Sequence, residues 1–277
     1  MYELKRLSGE GLALTREHQL IACPRVGEIR WELDLAAFTP DQLDQAARLW
    51  RTRAIQELHS LALFTELASH LHVLGAPLDW SGAFARMIAD EVRHTDLCLR
   101  MCELVGRPAT IEVDPSGLHL LREGSPRAHV RRTVVAAFCI GETVSGRMFR
   151  RALRAATVPV ARDIVTAIVT DETFHAELGW ELGALLMRAD EAFTDERDAL
   201  AADLPHLFRH YARLCCAEPG RAWARENPEV DPEPNFGTLS DAGYARAFFD
   251  GMEEDVVPGL VAIGLPEAEA AYADLVA

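Results

Sequence analysis

The chain has 277 residues, of which 49% are hydrophobic, and a formal net charge of −15. Nucleic acids and anionic membrane surfaces attract basic patches, so this charge argues against both as partners. No uncharged apolar run approaches the roughly 20 residues that span a bilayer, and the first residues lack the apolar segment of a signal peptide. A cytoplasmic location is therefore expected.

The predicted elements begin after an N-terminal extension, residues 1–38, in which the sequence shows no clear helix and indicates no role. The first helix is predicted to start after Thr39, because residues 39–42 read Thr-Pro-Asp-Gln. Threonine is a favoured cap, proline suits the first helical position, and the glutamine closes a capping box. This helix runs to about Leu74.

Four further helices are predicted from start signals and apolar spacing. The first begins near Asp79 and ends before Gly106, and the others lie at about Pro126 to Ala156, Pro159 to Ala189 and 193–216. The first four helices form two antiparallel hairpins joined by a crossover that contains residues 111–115. An all-α four-helix bundle over residues 39–190 is therefore expected. Residues 191–277 are predicted to be a C-terminal helical extension packed on the bundle, with a proline-rich loop at 218–234.

One short pattern occurs twice, as Asp-Glu-Val-Arg-His at 90–94 in the second helix and Asp-Glu-Thr-Phe-His at 171–175 in the fourth. Residues three apart on a helix project from nearly the same face, so the Glu and His of each copy can reach one metal ion. A single Glu-x-x-His is expected by chance, but two copies with matching upstream carboxylates are not. These copies supply the candidate ligands Glu91, His94, Glu172 and His175.

Each copy has a glutamate in the preceding helix. Glu142 lies in an apolar stretch of the third helix, where a lone carboxylate needs a reason. The first helix offers Glu57 and Glu66, which lie nine residues apart and so on opposite faces, at about 100° per residue. Aligning the two halves matches the segment from Glu57 with the segment from Glu142, which favours Glu57, although hairpin geometry alone leaves Glu66 open.

Four ionised carboxylates buried together require cations, since burying them alone would be very costly or would force them to protonate. Two divalent ions neutralise four carboxylates, and oxygen and imidazole ligands suit iron or manganese. The pattern therefore predicts a carboxylate-bridged pair of ions, two irons first, with manganese or a mixed pair left open. Asp90 and Asp171, which precede the motif glutamates, are placed to accept a hydrogen bond from a ligand imidazole.

At these residues the chain resembles the ferritin-like di-iron carboxylate superfamily, which takes one Glu from each of two helices and a Glu-x-x-His from each of the other two. In motif it is closest to the bacterial multicomponent monooxygenase hydroxylases, whose Asp-Glu-x-Arg-His is similar to residues 90–94. The second copy departs from that pattern by having Phe174 where those hydroxylases have Arg. The resemblance implies a ferritin-like bundle with the ligands Glu57, Glu91, His94, Glu142, Glu172 and His175.

Three further positions are candidates for the pocket. Cys98 stands where ribonucleotide reductase small subunits usually have a radical tyrosine, so a tyrosyl-radical generator is disfavoured. Cys139 precedes Glu142 by about one turn and is expected, like Cys98, to behave as a small hydrophobe. Gly146 stands where the monooxygenases have a Thr near the oxygen pocket. It either opens room for a substrate or serves close helix packing.

The resemblance implies a di-iron oxidase or oxygenase that uses dioxygen to hydroxylate or desaturate a small organic molecule. The six cysteines form no Cys-x-x-Cys pair, so electrons are expected from an external donor. A homodimer is left open. One alternative is a ferritin-like protein that handles iron or scavenges peroxide, and another is a noncatalytic helical scaffold in which the paired motifs are coincidental.

Overall fold

The computed structural model describes residues 1–4, 18–25, 27–118, 124–188 and 193–277. These residues are mostly helical, which confirms the all-α class. Among the helices of these ranges, none combines the length and the apolar character needed to cross a membrane. The chain divides into two units, Met1–Arg122 with Thr157–Asp171, and Glu123–Ala156 with Glu172–Ala277. A four-helix bundle remains a prediction.

The first unit is built on a helical hairpin of α1, Pro40–Val73, and α2, Leu78–Leu104. The predicted capping box at the start of α1 is confirmed. The Gln42 backbone N–H donates to Thr39 Oγ1 at 3.3 Å, and the Thr39 N–H donates to the Gln42 side chain at 2.9 Å. The hairpin turns at Gly75, whose φ of +76° is a left-handed conformation that glycine adopts without steric cost.

The two helices of the hairpin pack against each other and bury their apolar faces. The short connection between them makes them antiparallel neighbours, so apolar residues at helical spacing on both can share one interior. Their largest fully buried side chains are Trp50, Phe64, Leu67, Phe84, Met87, Leu97 and Met101.

Part of the N-terminal extension forms a small sheet with the predicted crossover. Strand β1, Tyr2–Leu4, pairs antiparallel with β2, Ile111–Val113, so that Tyr2 lies opposite Val113. Neither segment was predicted to be a strand, because three-residue strands carry too little alternation to be recognised.

The second unit begins with α3, a continuous helix whose three parts are Pro126–Thr133, Val134–Glu142 and Thr143–Ala155. The middle part is π-helical, with a wider turn than the α-helical parts on either side. Ser125 caps the helix by accepting the Ala128 N–H at 3.1 Å, as expected of a serine before a proline at the first helical position.

Helix α4, Pro159–Leu186, is one continuous helix that leaves the first unit and enters the second between Asp171 and Glu172. The sequence predicted its end near Ala189. The helix ends three residues earlier, and residues 189–192 lie outside the described part of the chain.

The rest of the second unit is helical and shares one apolar core with α3. Helix α5 spans Phe193–Leu214, α6 spans Arg221–Glu226 and α8 spans Glu267–Val276. Between α6 and α8, helix α7 has three continuous parts, Asp241–Gly251, Met252–Val256 and Val257–Ala262. The short α6 corrects the prediction of an uninterrupted loop at 218–234, since the six residues between Gly220 and Asn227 include no proline. The core combines side chains of α3, α5 and α7, among them Val135, Ile140, Val144, Leu204, Phe208, Phe248 and Met252.

Candidate metal centre

The six candidate ligands lie in two buried sets, one in each unit. In the first set, Glu57 of α1 and Glu91 and His94 of α2 offer ligand atoms within 4.8 Å of one another. In the second set, the same holds for Glu142 of α3 and Glu172 and His175 of α4. Each set thus has two carboxylates and one imidazole, and none of the six residues is more than 8% exposed.

In the first set, the two ring nitrogens of His94 contact different groups. Nδ1 lies 3.4 Å from Glu57 Oε2 and 3.7 Å from Glu91 Oε2. Nε2 lies 3.3 Å from Asp171 Oδ2. A proton on Nε2 that is donated to Asp171 leaves the lone pair on Nδ1, directed at the two glutamates. A cation held by those glutamates would therefore find a nitrogen ligand already oriented.

The surroundings of His94 favour a positive charge at this point. Burial by itself lowers the pKa of the imidazole, but hydrogen bonds to Asp171, Glu57 and Glu91 outweigh it and raise the pKa well above the ordinary value. Three carboxylates around one ring therefore favour the protonated imidazole. A metal ion between the glutamates would neutralise the same negative charge.

The aspartates before the motif glutamates belong to a buried ionic network. The Arg93 side chain, itself 3% exposed, pairs with Asp90 and lies 3.3 Å from Asp171 Oδ2. Asp171 contacts His94 in the way that the sequence predicts for a residue orienting an imidazole. Asp90 accepts hydrogen bonds from Arg25 and Arg93, and the hydrogen bond predicted between Asp90 and a ligand imidazole stays a prediction.

In the second set, His175 Nδ1 lies 3.6 Å from Glu172 Oε2, which repeats the Glu-to-imidazole arrangement of the first set. Glu142 is the last residue of the π-helical part of α3. The hydroxyl of Tyr211 in α5 donates to the Ala136 carbonyl at 2.7 Å, two residues into that part. This bond satisfies a carbonyl of the π-helical turn from outside the helix.

The structure brings Glu57, rather than Glu66, together with Glu91 and His94. Glu57 is 6% exposed, whereas Glu66 is partly exposed. This is the difference expected for two residues on opposite faces of one helix, and it agrees with the preference drawn from aligning the two halves of the sequence.

The three pocket candidates have close protein neighbours. Cys98 is fully buried, and burial together with the nearby Glu57 charge raises the pKa of its thiol well above the usual value. Cys139 Sγ lies 3.7 Å from the Gly179 carbonyl, and burial likewise raises the pKa of that thiol. A Cβ at Gly146 would lie 3.4 Å from the guanidinium of Arg150, four residues further along the same helix, so substrate room and close helix packing both stay predictions for this position.

Arg25 is a residue of this region that the sequence did not predict. Arg25 lies in the N-terminal extension, and its Nε donates to Asp90 Oδ1 at 2.8 Å. The two residues are 65 positions apart, and no spacing rule connects a loop arginine with a helix aspartate at that distance. Only the tertiary fold identifies the pair.

The donors present fit iron or manganese. Both sets consist of carboxylate oxygens and imidazole nitrogens, with no thiol among them, and both are shielded from water. The chain matches no protein-family model, and no curated protein shows significant similarity to it. What these residues establish is a buried carboxylate and imidazole cluster that can bind metal.

Proposed function

We propose that the two sets hold two iron ions, and that the protein is a di-iron oxidase or oxygenase acting on a small organic substrate. The observation that carries the proposal is the repetition of one buried donor set, two glutamates and a histidine, around each copy of the Glu-x-x-His pattern. A coincidental arrangement would have to bury two glutamates and a histidine together at both copies of the motif.

The charges of the two sets support a pair of divalent ions. Glu57, Glu91, Glu142 and Glu172 are all buried, and four ionised carboxylates without compensating cations would be strongly destabilising. Two divalent cations neutralise them. The covalent chain also links the two sets, since Asp171, which contacts His94, directly precedes Glu172 on α4.

A reduced iron pair, when bound, would supply the activation of dioxygen, and the chain's own residues would orient its ligands and exclude water. Asp171 fixes which nitrogen of His94 carries the proton, so that Nδ1 serves as the ligand atom. The burial of both sets keeps bulk water from the site. The superfamily resemblance, together with the absence of a Cys-x-x-Cys pair in the sequence, makes an external electron donor part of this proposal.

Anaerobic loading with ferrous iron tests the proposal. The purified protein should take up two irons per chain and consume dioxygen when a reductant is supplied. Glu142→Ala should lower iron content and oxygen consumption together, because it removes one of the two carboxylates of the second set. A wild-type protein that takes up neither iron nor manganese would support the noncatalytic scaffold instead.

The iron-handling alternative predicts a different outcome in the same experiment. A ferritin-like storage or peroxide-scavenging protein would assemble into a hollow shell, or would turn over hydrogen peroxide rapidly with no organic substrate. Size-exclusion chromatography and a peroxidase assay on the iron-loaded protein distinguish these outcomes from substrate oxidation.

A further inference from the structure

Residues 18–25 of the N-terminal extension are bound to one face of α2. His18 Nε2 lies 3.1 Å from Asp96 Oδ1, and the Arg93 guanidinium donates to the Ile21 carbonyl at 3.3 Å. Arg25 completes the series with its bond to Asp90. The partners on α2 are spaced three residues apart, so they lie on one face of the helix. This is the α2 segment that also carries Glu91 and His94.

Arg25 contributes a second guanidinium to a buried pair of aspartates. The side chain of Asp90 is 0% exposed and that of Asp171 is 2% exposed. Arg25 lies 2.8 Å from Asp90 Oδ1 through Nη2 and 3.6 Å from Asp171 Oδ1 through Nε. Arg93 is the other cation that contacts both aspartates. Two buried carboxylates thus share two guanidinium groups.

The contacts of Asp171 divide between its two oxygens. Oδ2 faces His94 Nε2 and Arg93, both at 3.3 Å, whereas Oδ1 faces Arg25. The ion pair with Arg25 on Oδ1 and the contacts on Oδ2 together restrain rotation of this carboxylate, which favours the alignment of Oδ2 with the imidazole. Arg25 therefore restrains the group that orients His94, although it does not contact the histidine through any of these bonds.

We infer that Arg25 is a positioning residue for the metal centre, and that residues 18–25 are part of the site. Arg25 restrains Asp171, Asp171 holds the His94 ring, and the ring would present Nδ1 to an ion held by Glu57 and Glu91. The inference rests on the proposed metal binding. It gives the N-terminal extension a role that the sequence did not reveal.

The residue type matters as well as the charge. A guanidinium has donors on several nitrogens in a fixed plane, so it can contact two carboxylates at once. A lysine would supply a point charge on a flexible stem and could not restrain both aspartates in the same way. Arg25→Lys should therefore keep the charge and lose part of the positioning.

Arg30 provides a matched control in the same extension. Its guanidinium forms two bonds with Asp163 of α4, at 2.7 and 2.8 Å, and its side chain is 65% exposed. Asp163 lies eight residues before Asp171 on the same helix. Arg30→Gln therefore removes an ion pair of good geometry between the extension and α4 without touching the network around His94.

The test is a titration of the full-length, metal-free protein with cobalt(II), followed by its visible absorption bands, for wild type, Arg25→Gln, Arg25→Lys and Arg30→Gln. Loss of a group that orients a metal ligand typically lowers metal affinity about 10- to 100-fold. We expect a loss of that size and altered bands for Arg25→Gln, an intermediate effect for Arg25→Lys, and wild-type behaviour for Arg30→Gln.

Wild-type affinity and bands in Arg25→Gln would overturn the inference and leave the proposed function standing. An equal loss in Arg30→Gln would also overturn it, because the effect would then come from docking of the extension in general. A wild-type protein that binds no cobalt would overturn the metal centre and this inference together. If Arg25→Gln does not fold, as judged by circular dichroism, the comparison of Arg25→Lys with wild type decides.

Discussion

His94 shows how one buried side chain can be prepared for a metal ion by its neighbours. Its Nε2 faces an aspartate and its Nδ1 faces two glutamates, all within 3.7 Å. The glutamates come from two helices, and the aspartate comes from a third. Such an arrangement fixes the ring before any ion arrives, which lowers the ordering cost of binding.

The choice between Glu57 and Glu66 leads to a direct prediction. Glu57→Gln removes a negative charge beside His94 Nδ1 and should reduce bound metal to fewer than two ions per chain. Glu66→Gln should leave metal content unchanged, because Glu57 is the α1 glutamate whose carboxylate meets Glu91 and His94. Elemental analysis of both variants after anaerobic iron loading makes the comparison.

Equal metal content in the two variants would remove Glu57 from the proposed site. Circular dichroism is the control for folding, and glutamine is chosen in both cases because it keeps the volume of the side chain. The cost of each substitution should then reflect charge rather than packing.

The spacing of residues within one helix allowed the Glu and His pairs of the site to be predicted from the sequence. Glu91 with His94, and Glu172 with His175, are local pairs, so helical geometry alone predicts that each shares a face. The glutamate that the preceding helix contributes depends on the register of the two helices in the hairpin. The alignment of the two halves of the sequence favoured Glu57 without deciding the choice. Arg25 depends on the path of a loop, for which a single sequence gives no rule.

Helix α3 illustrates a feature that the apolar pattern did not predict. Residues 133–141 were expected to form an ordinary α-helix, and the structure is π-helical over Val134–Glu142. Both forms bury an apolar stretch of this kind, and the pattern distinguishes them poorly over nine residues. The wider turn ends at Glu142, so the local backbone sets the direction of a proposed ligand.

The contact between α3 and α4 in the second unit is close because of a glycine. A Cβ at Gly179 would lie 2.4 Å from Phe138 Cβ, a distance that requires the backbone to shift. Gly179 follows His175 by one turn, and Phe138 precedes Glu142 by one turn. The helices therefore approach closely beside the second donor set.

We predict that Gly179→Ala destabilises the protein by about 1–3 kcal/mol, the usual cost of overpacking a tight contact. It should also weaken metal binding, because pushing α4 away from α3 separates Glu142 from His175. Chemical denaturation and the cobalt titration measure the two effects.

Gly82 in α2 is the matched control, since an added Cβ there meets no atom within 4 Å. Gly82→Ala should stabilise the protein by about 0.5–1 kcal/mol, because alanine loses less backbone freedom than glycine in a helix. An unchanged denaturation midpoint for Gly179→Ala would contradict the close approach of the two helices.

The assignment of residues to the two units could not have been read from the sequence. The domain boundaries predicted at residues 39 and 190 lie at the ends of helices and stay a prediction, and the division between the two compact units falls inside α4. Composition and turn signals mark loops, and they carry no information about a boundary within a continuous helix. The core that α3 shares with α5 and α7 is likewise a long-range contact, which helical spacing cannot reveal.

The acidic balance of the chain gives a prediction for the molecule in solution. With a net charge of −15 and four buried glutamates in the proposed site, the metal-free protein should be less stable than the loaded one. A ligand at 100 times its Kd stabilises a protein by about 2.7 kcal/mol, and 1 kcal/mol shifts Tm by about 2–4 °C at this size. Iron or cobalt should therefore raise Tm by several degrees.

Differential scanning calorimetry of the protein with chelator and with cobalt(II) measures this shift. Glu66→Gln should retain the full rise in Tm, whereas Glu142→Ala should lose most of it, since Glu142 belongs to a donor set. A chelated protein with the same Tm as the cobalt-treated protein would count against metal binding in the folded state.

The adjacency of Asp171 and Glu172 limits how this protein can vary. Asp171 contacts His94, and Glu172, the next residue on α4, contacts His175. Adding or deleting a single amino acid between them would turn the remainder of the helix by about 100° and slide it by about 1.5 Å. Surface loops can lengthen freely, but the stretch from Asp163 to His175 has to keep its length.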